Sequence, residues 1–132
     1  MKDPPSFPDL PDVVSFTLQL RHWEFDNLEV FCEGRLSQRL FLAFVLATCR
    51  HTSTIRLTEL FVDGNASEVG IRKRLKRYQK LGLIEIIPNP ADKRSKLVRI
   101  TDQLEQLLTA YFTVADKLWL KHWGSGPSRR DR

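Results

Sequence analysis

The sequence holds only two cysteines, Cys32 and Cys49, and neither belongs to a Cys-x-x-Cys pair. His22, His51 and His122 are scattered and cluster with neither of them. The usual spacings of a zinc site are therefore absent, and so is a disulfide framework that could replace a core. The chain begins Met1-Lys2-Asp3-Pro4-Pro5, with no apolar stretch behind a basic start, so no signal peptide is expected. The longest apolar stretch, Leu40–Ala47, is far too short to cross a bilayer. Neither a nucleophile–base pair nor a glycine-rich phosphate loop is found, which counts against an enzyme and against a nucleotide cofactor. A reduced, cytoplasmic protein with no metal, cofactor or membrane contact is the expectation.

One further scarcity is local. Between Arg72 and Lys80 there is no acidic residue, whereas six positions are basic: Arg72, Lys73, Arg74, Lys76, Arg77 and Lys80. The whole chain has 21 Lys and Arg against 16 Asp and Glu, a net charge of +5. That excess is modest; its concentration on one segment points to a polyanionic partner. Apolar residues make up 42% of the 132 positions, enough for the core of one domain.

Four of the seven prolines fall within residues 1–12, which read as an extended arm. Residues 124–132 are Gly, Ser, Pro, Arg and Asp and read as a basic tail. The domain is expected over 13–123. Val14, Phe16, Leu18 and Leu20 alternate as in a strand, but Val13, Phe16, Leu20 and Trp23 match helical spacing, so periodicity leaves Val13–Glu33 open. Ser37 suits an N-cap for a helix carrying Leu40, Phe41, Phe44, Val45 and Thr48, apolar nearly all round and so buried. A β-prone stretch, Thr54–Leu57, and a short helix, Glu59–Val62, precede the turn Asp63-Gly64-Asn65. A helix is predicted over Asn65–Leu81, stopped by Gly82. Leu83–Ile87 and Leu97–Ile100 read as a hairpin around the polar loop Pro88–Lys96. Asp102 is expected to cap a last long helix. The fold class is mainly α with a small β wing: a winged helix-turn-helix with flanking terminal helices.

On a helical wheel, Ile71, Leu75 and Tyr78 share one face of Asn65–Leu81. Val69, Lys73, Lys76, Arg77 and Lys80 lie opposite, with Arg72 at the flank. A charge run usually marks no more than a solvated face. Here the run repels itself unless an anion neutralises it, and the helix sits between a turn and a hairpin. Arg72 and Lys73, near the helix start, suit guanine edges in a major groove, and Val69 suits a thymine methyl. Lys76, Arg77 and Lys80 suit phosphates.

The loop reads Asp92-Lys93-Arg94-Ser95, followed by a strand ending Ile100-Thr101. With Gly82-Leu83-Ile84, Leu36-Ser37-Gln38 and Leu57-Thr58-Glu59-Leu60, this pattern resembles the MarR family of bacterial transcription regulators over about Leu36 to Leu108. The resemblance implies double-stranded DNA as partner, with Arg94 of the wing at the minor groove, Lys93 and Lys96 at phosphates and Asp92 shaping the tip. It favours a helix at Val13–Glu33. It also implies a homodimer through the terminal helices and leaves room for a small-molecule effector of unknown chemistry. The apolar stripe with Leu104, Leu108, Tyr111, Phe112, Ala115, Leu118 and Trp119 is the expected interface, the alternative being that Val13–Glu33 of the same chain folds over it and completes a monomeric core. A repressor on a pseudo-palindrome is the leading expectation. A plasmid or phage replication or partition protein, and a winged helix docking on an acidic protein, remain alternatives. Cys32 and Cys49 are expected to be structural, and Trp23, Trp119 and Trp123 to serve packing rather than an effector pocket.

Overall fold

A computed structural model describes residues 10–61 and 67–124. Two compact units emerge, one of Val30–Leu108 and one made of Met1–Glu29 with Thr109–Arg132.

The first unit is the winged helix. Helix α2 (Arg35–Cys49) buries Leu40, Phe41, Phe44 and Ala47. A three-residue 3-10 turn, Glu29–Phe31, precedes it and sends the Phe31 ring against Phe41 and Phe44, with centroids 5.2 and 6.1 Å away. Strand β1 (Thr54–Arg56) leads into a 3-10 helix, Leu57–Phe61, and then comes α3 (Glu68–Lys80). Strands β2 (Ile84–Asn89) and β3 (Asp92–Ile100) follow, and α4 (Asp102–Trp123) closes the chain. The sheet is antiparallel in the order β1-β3-β2, with Ile55 opposite Val98 and Ile84 opposite Ile100. Val98 and Ile100 point inward, and the charged Arg99 between them points out, as the period of a half-buried strand requires.

Several boundaries differ from those expected. Ser37 is no cap: α2 begins at Arg35 after Gly34, whose φ of 113° favours glycine, and Ser37 is fully buried one turn in. The Asp63-Gly64-Asn65 turn lies outside the described residues, and α3 is capped by Ser67, whose hydroxyl accepts from Gly70 N–H at 3.1 Å. Thr101, not Asp102, caps α4: its Oγ1 accepts from Leu104 N–H at 3.3 Å and donates to the Gly82 carbonyl at 2.7 Å. Pro88–Lys96 is not a loop. Both strands run almost to the tip and leave only Pro90 and Ala91 as the turn. Cys49 is exposed rather than packed, and Cys32 is half-buried. Leu104 and Leu108 are completely buried within the chain, so they have no surface to offer a second copy.

The second unit pairs α1 (Leu10–Asn27) with the later turns of α4. The region left open by periodicity is therefore helical, and the helix already includes Leu10–Asp12 of the expected arm; residues 1–9 and 125–132 lie outside the described residues. Helical spacing brings Phe16 to Trp119 (6.1 Å) and Trp123 (5.4 Å), and Trp23 to Tyr111 (6.3 Å). His122 Nδ1 lies 3.3 Å from the Asp12 carboxylate. Burial pushes the Tyr111 hydroxyl above its ordinary pKa, and the neighbouring Glu24 adds to the rise. Leu10, Val14 and Leu18, one turn apart in succession, remain exposed on α1. Among the described residues no helix is long and apolar enough to cross a membrane.

Candidate nucleic-acid interface

Helix α3 is held on its core side by Ile71, Leu75 and Tyr78, all buried. The Tyr78 ring meets Phe31 at 4.9 Å and Phe44 at 6.2 Å, so an aromatic cluster fixes the helix against α2. At its C-terminus, Leu83 N–H bonds the Tyr78 carbonyl at 2.9 Å and Gly82 N–H bonds the Gln79 carbonyl at 3.0 Å. This pair of bonds requires a left-handed residue, and Gly82 takes it at φ 78°. A Cβ there would also come within 2.9 Å of Gln103 Oε1. Gln79 Oε1 accepts from Ile86 N–H at 2.7 Å and ties α3 to the first wing strand.

The solvent side of α3 carries Val69, Arg72, Lys73, Lys76, Arg77 and Lys80, all exposed. The helical wheel had grouped these residues correctly. They are not equivalent, however. Lys73, Lys76 and Lys80 have no ion-pair partner among the described residues. Arg72 stacks over the Phe61 ring at 5.1 Å and lies 4.0 Å from Glu68, one turn back. Arg77 is taken up by Glu33, at 2.8 Å. The same carboxylate holds Arg74 at 2.8 Å, and Arg74 also donates to the Glu33 carbonyl at 3.2 Å.

The wing continues the positive surface. Lys93, Arg94 and Lys96 are exposed on β3, not on a loop, and none has an ion-pair partner among the described residues. Asp92 Oδ1 accepts from Arg94 backbone N–H at 3.0 Å, so the carboxylate grips the backbone of the tip rather than the guanidinium. Asn89 completes the tip, accepting from Ala91 N–H at 3.0 Å and donating to Ser95 Oγ at 2.9 Å. Farther down, Arg99 pairs with Glu85 across the strands at 2.6 Å.

Glu33, Phe61, Gln79 and Asn89 had no place in the sequence-based site. Phe61 and Glu33 both lie outside α3, eleven residues before Arg72 and forty-four before Arg77, so the periodicity of that helix could not link them. Asn89 carried a signal, a turn-forming residue three before Asp92. Among the described residues no group of His, Cys, Asp or Glu could hold a metal ion.

No protein-family model matches the chain, and no curated protein matches it in sequence. Solved structures do. A transcriptional regulator from Thermotoga maritima, Tm0710, superposes with a TM-score of 0.60 at 18% identity, covering 88% of this chain and 78% of its own. MarR from E. coli complexed with operator DNA superposes at 0.52 and 18%, covering 92% and 85%. The fold is that of MarR. The heme sensor protein PefR from Streptococcus agalactiae gives 0.56 at 19%, covering 97% and 84%. The MarR likeness thus extends from the winged unit seen in the sequence motifs to the terminal helices that those motifs did not reach.

Proposed function

We propose that this chain binds double-stranded DNA as a homodimeric transcription regulator of the MarR type, a repressor acting on a pseudo-palindrome. The observation that carries the reading is the exposed face of α3. Among the described residues Lys73, Lys76 and Lys80 stand there without acidic partners, on a helix clamped to an aromatic core, and the three cations of the adjoining wing likewise have none. Such an array is costly to hold in water and is relieved by a polyanion of matching shape. In this reading α3 enters the major groove, Arg72 and Lys73 address base edges, and Val69 touches a thymine methyl. Lys76 and Lys80 hold phosphates, as do Lys93 and Lys96, and Arg94 lies at the minor groove.

The terminal unit supports the dimer. Leu104 and Leu108 are spent on the chain's own core, but Tyr111, Phe112, Ala115, Leu118 and Trp119 keep part of their surface. The exposed row Leu10, Val14 and Leu18 adds an apolar face on α1.

Titrating the protein into a labelled random-sequence duplex at 50 and 200 mM salt tests the DNA reading. Six or more phosphate contacts predict an affinity loss of about 10³-fold or greater between the two. A flat salt response, or equal binding to an acidic polypeptide, would favour a protein-interaction module instead.

A further inference from the structure

Glu33 sits at the junction of the 3-10 turn and α2, and its carboxylate is shared by two arginines of α3. One oxygen lies 2.8 Å from Arg74 and the other 2.8 Å from Arg77. The three side chains are not alike in exposure: those of Glu33 and Arg74 are 30% exposed, that of Arg77 51%. The backbone bearing Glu33 is itself anchored, because Phe31, two residues earlier, is buried against Phe41, Phe44 and Tyr78.

We propose that Glu33 is a built-in counter-ion that withdraws Arg77 from the phosphate contacts of the recognition helix, and so holds down affinity for DNA of any sequence. The inference rests on the DNA-binding reading given above. Phosphate contacts carry no sequence information, so each cation on the groove-facing side adds to random-sequence binding as much as to specific binding. A phosphate could claim Arg77 only by displacing a carboxylate that Arg74 also holds at 2.8 Å, and the two anions would then repel at close range. Arg74 is different. Its second bond, to the Glu33 carbonyl at 3.2 Å, does not depend on the carboxylate, so it stays in place when the charge is removed. Neutralising Glu33 therefore frees one cation, not two.

The consequence is countable. Each cation that neutralises a phosphate contributes about 0.9 to the slope of log affinity against log salt. Glu33→Gln should steepen the slope on a random-sequence duplex by about 0.9 per subunit, about 1.8 for the dimer, so that the loss between 50 and 200 mM grows about 12-fold. In the wild-type background Arg77→Gln should leave the slope unchanged, and Glu33→Gln with Arg77→Gln together should return it to the wild-type value. A slope that falls by about 0.9 per subunit in Arg77→Gln alone would show Arg77 on a phosphate and overturn the proposal. So would a folded Glu33→Gln protein with the wild-type slope. The Arg77→Gln arm changes an exposed side chain and stands even if Glu33→Gln fails to fold. A wild-type protein with no salt-dependent duplex binding would refute the DNA reading itself, whereas wild-type slope with either contrary mutant result refutes only the role of Glu33.

Discussion

Tyr78 joins the two faces of the recognition helix. Its ring belongs to the aromatic core, and its hydroxyl is buried with that of Ser37 beneath Arg74 and Arg77. Burial pushes the phenol above its ordinary 10.0, while Ser37 and the two arginines pull it back by less. A raised folded-state value means that stability held below pH 10 is lost as pH climbs through it. Tyr78→Phe keeps the ring and should cost no more than about 1 kcal/mol at pH 7, since the hydroxyl gains little from Ser37. Above pH 10 the wild type should lose denaturation midpoint faster than Tyr78→Phe; parallel curves would show that the phenol ionises alike in the folded and unfolded chain, with no raised value. Arg72 and Lys73 belong to the same scale. Each changed to Ala should reduce preference for the cognate site, a lost base contact being worth about 1–3 kcal/mol. Equal loss on cognate and random DNA would reassign them to phosphate contact. The basic side of α3 was legible because a helix spaces its faces regularly. The difference between Arg77 and Lys76 was not, because it depends on an acid folded back from far along the chain.

Among elements, α3 and its Gly82 stop were readable from periodicity and from the backbone needs of a helix C-terminus. The wing was only half readable. Leu97, Val98 and Ile100 announce a strand, but Asp92–Lys96 is polar on both sides because that part of β3 stands clear of any core, so nothing in its composition distinguishes strand from loop. Caps at Ser37 and Asp102 were misplaced for a related reason: a hydroxyl or carboxylate near a helix start satisfies the rule at several positions, and only packing chooses among them. At the wing, Arg94→Ala should weaken binding most on sites with A/T-rich flanks, where a narrow minor groove attracts cations. Asp92→Ala should do less, since it loosens the bond to Arg94 N–H without removing a charge that faces DNA. Unchanged affinity in Arg94→Ala at 150 mM salt would remove the wing from the interface.

At the scale of the molecule, the sequence indicated one domain and the chain forms two compact units, with α4 contributing to both. Leu104 and Leu108 look identical in sequence to Leu118, because one apolar stripe runs the length of the helix; only the tertiary partners decide which part is core. The exposed Leu10, Val14 and Leu18 are the surface that a second copy covers in the proposed dimer. Light scattering at micromolar protein should give about twice 15.4 kDa. A value near 15.4 kDa with and without DNA would contradict the dimer. The central claim, a sequence-reading helix presented twice by a symmetric dimer, is tested most directly by selecting bound duplexes from a random pool. The account predicts an enriched pair of inverted half-sites centred about one helical turn apart, 10–10.5 base pairs. A pool that stays random after repeated selection, or one that yields a single half-site without symmetry, would contradict it.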